Sequence, residues 1–227
     1  MLIKINVHLD IMQKKFTEYV RDKRVIIVGP ASYLVGKCMG ELIDSYDIVV
    51  RLNKSIPLPD ELKKDVGTRT DILYNCLHPD SVGEISYQRF KEVDFLVCPY
   101  PPKTAFLMDI IRFKRQNNGK IPFRHIDLEY YNQVESKMGT RPNTGTCAIL
   151  DLLRFPIKEL YITGITFFKG GYCKQYNDLD EKELIHSIQT SSEHDIPKQV
   201  NYMKDILLSE PRIKLDKELI DVCGQFL

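Results

Sequence analysis

The chain has 227 residues, 43% of them apolar and 28% charged, with 12 Gly and 12 Pro, which is the make-up of one ordinary globular domain and excludes a disordered, collagenous or coiled-coil chain. Lys and Arg number 32 against 31 Asp and Glu, a net charge of +1. Bulk charge therefore does not direct the protein to nucleic acid or an anionic membrane, although a local basic pocket and a peripheral membrane contact stay open.

At the N-terminus, Lys4 and Asp10 interrupt the stretch that would have to form the apolar core of an export signal. No run approaches the roughly 18 uncharged apolar residues of a membrane span. The expectation is a soluble cytoplasmic protein. Residues 25–28 are a continuous β-branched run stopped by Gly29-Pro30, which predicts a fully buried strand of a parallel sheet. Apolar spacing predicts a helix over 34–43 and a second strand over 47–53, and together these make a βαβ unit. Further strands are predicted at 71–75, 95–98, 124–127 and 159–163. Helices are predicted at 104–116, 145–154, 178–187 and 197–208, with Pro197 suited to a first helical turn. No repeat, low-complexity tract or linker divides the chain. A single α/β domain over residues 1–227 is expected, a Rossmann-like sheet flanked by helices.

Six cysteines (Cys38, Cys76, Cys98, Cys147, Cys173 and Cys223) stand far apart, with no Cys-x-x-Cys pair. That spacing argues against a zinc ribbon or a thioredoxin-type site, and without an export signal they read as free thiols.

In open α/β sheets, ligands bind beyond the carboxyl ends of the strands. The residues at those ends are Gly29-Pro30-Ala31-Ser32, Asn53, Asn75 and Gly164-Ile165-Thr166. A glycine directly after a buried strand admits a phosphate or sugar close to the backbone, and a helix starting near Leu34 would aim its N–H groups at that spot. The plainer alternative is that Gly29 and Pro30 only make a tight turn. No dinucleotide fingerprint follows, because the next glycines are Gly36 and Gly40, and no Gly-Lys-Ser/Thr follows the strand.

Arg141-Pro142-Asn143-Thr144-Gly145 precedes an apolar helix, so Thr144 is expected to cap it while Asn143 offers an amide to a ligand. His194 lies in the polar stretch 191–197. It is suited to take a proton from a hydroxyl near neutral pH, the alternative being a solvated or capping histidine. His8, His78, His125 and His186 read as structural. Asp178 and Asp180 have a spacing that can serve a divalent ion, but acids at a helix start are explained by the dipole alone, and no metal is expected.

In this order, the segments resemble the sialylmotifs of the family 29 glycosyltransferases, the sialyltransferases. The large motif resembles residues 25–34 through Glu41-Leu-Ile-Asp-Ser-Tyr-Asp47 and Arg51-Leu-Asn53, followed by Gly67-Thr-Arg-Thr70. The small motif resembles Pro142-Asn-Thr-Gly145 with Glu159-Leu-Tyr-Ile-Thr-Gly164, and the very small motif resembles His194 to Gln199. Departures from the family pattern are Pro30 for Asn, Asn143 for Ser and Gln199 for Glu. The positions joined by a disulfide in animal members fall near Val25 and Pro156, so the resemblance points to a bacterial or viral type of member.

The resemblance implies a variant GT-A-type fold and an inverting, metal-independent transfer of sialic acid, or of a related keto sugar acid such as Kdo, from a CMP-activated donor to a glycan hydroxyl. His194 would be the general base. Gly29, Pro30, Ala31, Ser32, Asn53, Asn75, Asn143, Thr144, Gly145, Gly164, Ile165, Thr166 and Tyr176 would surround the donor nucleotide. No cofactor beyond the donor substrate is implied. A non-catalytic CMP- or glycan-binding relative is the alternative.

Overall fold

The protein is described by a computed structural model covering residues 2–78, 83–101, 104–174, 176–177, 179–191 and 194–224. Its centre is a sheet of seven parallel strands in the order β5-β4-β3-β2-β1-β6-β7. The strands are β1 (Arg24–Val28), β2 (Ile48–Leu52), β3 (Ile72–Tyr74), β4 (Phe95–Cys98), β5 (Phe123–His125), β6 (Glu159–Thr163) and β7 (Ile213–Leu215). The first six match the sequence expectation within two residues. Their apolar residues are buried on both faces, as a parallel sheet between helices requires.

Side chains alternate between the two faces of the sheet, which pack into three apolar clusters. Val25, Ile27, Val50 and Ile162 pack with Phe16 of α1 (Leu2–Val20), Ile149 of α7 (Thr144–Leu152) and Met203 of α9 (Ile196–Ser209). On the opposite face Ile26, Val28 and Val49 meet Leu34, Ile43 and Val66. Leu73 and Leu96 lie in a third cluster with Phe90 and with Phe113 of α5 (Thr104–Asn117). Fully burying each such side chain contributes about 1.5–3 kcal/mol.

The helix expected over 34–43 does not form. A 3-10 turn at Ser32–Leu34 ends in the left-handed residues Gly36 (φ 82°) and Cys38 (φ 53°), and only the short α2 (Gly40–Asp44) follows. The N-terminus of α2 packs on backbone instead of facing a ligand: a Cβ at Gly40 would sit 2.5 Å from the Lys63 carbonyl oxygen. The dipole expected from this helix is therefore absent from the β1 turn. The next helices are α3 (Lys63–Val66) and α4 (Tyr87–Phe90).

Six elements were not expected from the sequence: α1, α3, α4, α6 (Leu128–Met138), β7 and α10 (Lys217–Gly224). The helix expected over 178–187 is α8 (Glu181–Ser191). A reciprocal pair starts it, Asp180 N–H to Glu183 Oε2 and Glu183 N–H to Asp180 Oδ1, both 2.9 Å. That capping arrangement accounts for the acidic run; Asp178 lies outside the described residues. No described helix is long and apolar enough to cross a membrane.

Candidate active site

The strand order reverses at β1, whose neighbours are β2 and β6. At that switch point, beyond the carboxyl ends of these strands, lies a cavity of about 570 Å³, the position where doubly wound sheets bind ligands.

One wall is the contact between the β1 and β6 turns. Gly29 N–H donates to Thr163 O (2.8 Å) and Ala31 N–H to Gly164 O (3.1 Å). A Cβ on Gly29 would stand 2.2 Å from the Gly164 carbonyl oxygen, and Gly164 has φ 71°. Glycine is required at both positions by close approach, and at the second by conformation as well. Pro30, Gly164, Ile165 and Thr166 line the cavity.

Gly29, Ala31 and Ser32 do not line this cavity; Gly29 packs on the β6 turn, and Ala31 and Ser32 secure a loop beside it. Ser32 donates through N–H to Gly171 O (3.2 Å) and through Oγ to Gly170 O (2.6 Å), Cys173 N–H donates to Pro30 O (2.8 Å), and Ala31 bridges Tyr172. The polar groups of Ser32 and the Pro30 carbonyl are spent on the loop that carries the cavity's aromatic residues, and the N–H groups of Gly29 and Ala31 on the β6 turn.

The second wall joins the end of β2 to the start of α7. Asn53, at φ 45°, donates from Nδ2 to Thr144 Oγ1 (3.1 Å) and accepts Cys76 N–H on Oδ1 (3.1 Å). Asn75 is fully buried and supports that strand end from behind, donating to Asn53 O (3.1 Å) and accepting Leu77 N–H (2.8 Å). It does not line the cavity, and its amide is used to hold backbone. Tyr176 lines the cavity beside Asn53, and burial pushes its phenol up.

The cap of α7 is Asn143, not Thr144. Asn143 Oδ1 accepts Thr146 N–H at 2.8 Å and its carbonyl accepts Cys147 N–H at 2.9 Å. With the amide oxygen turned to the helix, the Nδ2 end is directed away from it, and Asn143, Thr144 and Gly145 all line the cavity. The remaining first-turn N–H groups, on Thr144 and Gly145, sit at the positive end of the helix, a natural anion site.

His194 borders the same cavity. Its Nδ1 lies 2.9 Å from Arg141 O. A carbonyl only accepts, so Nδ1 carries the hydrogen and the neutral ring keeps its lone pair on Nε2. Phe168 stacks on the imidazole at 6.1 Å and 24°.

Several residues at the cavity were given no role by the sequence reading, although Arg141 stood in the 141–145 segment and Tyr176 was expected beside the nucleotide. Arg141, whose guanidinium carbon lies 4.5 Å over the Tyr100 ring, brings a positive charge. Burial pushes the Tyr100 phenol up. His78, read as structural, also lines the cavity. Phe168, Tyr172 and Tyr176 form an edge-linked ladder with centroids 6.1 and 5.1 Å apart; their four-residue spacing was the available signal. Phe167 (φ 49°) and Phe168 (φ 72°) are both left-handed, a conformation that costs non-glycine residues about 1–3 kcal/mol each. Among the described residues no group of three His, Cys, Asp or Glu side chains is placed to hold a metal ion.

Comparison with known proteins gives the family. The model of "Glycosyltransferase family 29 (sialyltransferase)" matches residues 4–154. A type 2 lactosamine alpha-2,3-sialyltransferase of Mus musculus is 30% identical over 138 residues, 59% of this chain and 40% of that protein. A CMP-N-acetylneuraminate-beta-1,4-galactoside alpha-2,3-sialyltransferase of Homo sapiens is 49% identical over 53 residues, 23% of this chain and 14% of that one. The chain thus spans about two fifths of the length of the first of these relatives, and less of the second. Among solved structures, a mammalian sialyltransferase superposes with TM-score 0.59 at 21% identity, covering 92% of this chain and 79% of the other. Another, in complex with Gal-beta-1-3GalNAc-ortho-nitrophenol, gives TM-score 0.57 at 24% identity, covering 86% and 69%; both establish the likeness of fold. The chain belongs to glycosyltransferase family 29, the sialyltransferase family.

Proposed function

We propose that the chain is a catalytic domain, residues 1–227, that transfers sialic acid from CMP-sialic acid to a glycan hydroxyl, with inversion and without metal. The observation that carries this reading is the juxtaposition in one cavity of a histidine with its Nδ1 hydrogen held by Arg141 O and the positive start of α7. His194 Nε2 takes the proton of the acceptor hydroxyl, whose oxygen attacks the anomeric carbon as the bond to CMP breaks. The N–H groups of Thr144 and Gly145, the Asn143 amide and the Arg141 guanidinium surround the space for the donor's phosphate or carboxylate. Kdo, with the same anomeric carboxylate, is the competing donor sugar. A reducing compartment, the cytoplasm, suits the five described free thiols, four of them buried.

A thermal-shift screen against CMP, UDP and GDP, followed by transfer from CMP-sialic acid with a chelator present, tests the reading. CMP alone is expected to raise the melting temperature, and transfer is expected to persist in chelator. His194→Ala is expected to lower transfer by about 10²–10⁴-fold with CMP binding retained. Failure of CMP to bind removes the reading, and binding without turnover across an acceptor array selects the non-catalytic alternative.

A further inference from the structure

Behind the cavity a polar chain runs from the C-terminal segment to Gly164. The Tyr33 hydroxyl accepts Gly164 N–H at 2.6 Å, lies 3.4 Å from Thr163 Oγ1 and donates to Asp216 Oδ2. That same carboxylate oxygen is 3.4 Å from Gly164 N. Asp216 lies between β7 and α10 and is only 8% exposed. Its other oxygen accepts Leu219 N–H at 2.8 Å, and its own N–H reaches Ile162 O at 3.3 Å.

The geometry has a mechanical consequence. Gly164 is left-handed and has no side chain to fix its peptide plane. Its carbonyl is held by Ala31 N–H from the front, and its N–H is held by Tyr33 from behind. The Thr163–Gly164 peptide also presents the carbonyl that accepts Gly29 N–H, so turning that peptide would disturb both turns. Burial and the Asp216 hydrogen bond push the Tyr33 phenol up, so the hydroxyl stays protonated and a donor at neutral pH.

We propose that Tyr33 and Asp216 are positioning residues for the donor cavity, holding its 164–166 wall so that the β7–α10 segment, beyond the residues covered by the family model, sets how tightly the nucleotide is bound. The proposal rests on the functional reading for its choice of CMP as probe.

The test compares Tyr33→Phe, Asp216→Asn and, as a control, Lys214→Ala, which removes an exposed β7 ion pair to Glu159 (2.5 Å). Amide exchange at Gly164 needs no ligand. It is expected to quicken by about tenfold or more in Tyr33→Phe, with the β1 amides unchanged. The Kd for CMP and the donor KM are expected to rise by about three- to tenfold, with kcat of the folded fraction held. Asp216→Asn should shift both in the same direction, and Lys214→Ala should shift neither. Unchanged Gly164 exchange overturns the proposal, as does a loss of CMP binding that only tracks loss of folded protein. If the wild type does not bind CMP, the functional reading fails and exchange alone decides whether the wall is held.

Discussion

Gln199 shows how one residue ties the two halves of the site together. It lies in α9, one turn after the Asp195 cap that follows His194, and is fully buried. Its Oε1 accepts Asn143 N–H at 2.9 Å and Thr146 Oγ1 at 3.3 Å, while its Nε2 is buried with no hydrogen-bond partner. The helix that follows the candidate base is thus joined to the start of the helix that offers the anion site. Gln199→Ala leaves two donors without an acceptor, and the expected loss is about 1–3 kcal/mol, read as a lower urea midpoint. Gln199→Glu keeps an acceptor oxygen for both donors and removes the orphaned N–H, so it should lose less than the alanine variant. Equal losses would show that the acceptor oxygen is not what matters.

At the scale of elements, what the sequence made legible were the strands: β-branched runs such as Val25-Ile26-Ile27-Val28 can be satisfied only between two apolar layers. The misread helix over 34–43 had apolar residues at helical spacing, but Gly36 and Cys38 take left-handed backbone, and Gly40 is needed for close packing. β7 is only Ile213 and Leu215, both half-buried, around the exposed Lys214 at the sheet edge, too short and too mixed for any periodicity. In contrast, α6 carried signals that were overlooked, an Asp127 cap and a left-handed Gly139 terminus. In the site, strand-end residues were readable because ligands gather there. Arg141, Tyr100 and Phe168 were not, because their roles depend on which loops meet across the chain.

Helix α7 is docked at both ends, by Asn143 at the cavity and by Asp151 near its other end. Asp151 is fully buried, accepts the Tyr74 hydroxyl at 2.7 Å and pairs with Arg124, whose guanidinium lies 4.1 Å over Phe16. Asp151→Asn leaves Arg124 buried without its counter-charge, and the expected cost is about 3–5 kcal/mol. A double change, Arg124→Met with Asp151→Leu, should recover much of that loss. Urea unfolding of both variants measures it, and a small loss in the single variant would mean that water or another group compensates Arg124.

For the whole molecule, near-neutral charge fits a site built from local dipoles and Arg141 rather than a basic face. The chain draws that site from beyond the matched 4–154 region as well, through Gly164, Phe168 and His194. Global stability should carry a separate signature of burial. His125 at the end of β5 is held neutral: burial, the largest cause, lowers its pKa from 6.5, and its Nδ1 lies 3.0 Å from Ile126 O. Because the folded value is depressed, the unfolded chain binds the proton more readily. Stability is therefore full above about pH 6.5 and falls as pH drops toward the folded value. The carboxylates with lowered values, Glu159, Glu210, Asp60, Asp65 and Asp195, start from 4.5 or 3.8 and lose their contribution as pH falls through those values. The upper part of the interval between about pH 6.5 and 4.5 lies above the carboxylates, and the comparison with a His125 variant separates this histidine from the others. Urea midpoints measured at intervals across it should fall for the wild type and fall less for His125→Gln, and parallel declines would remove His125 as the cause.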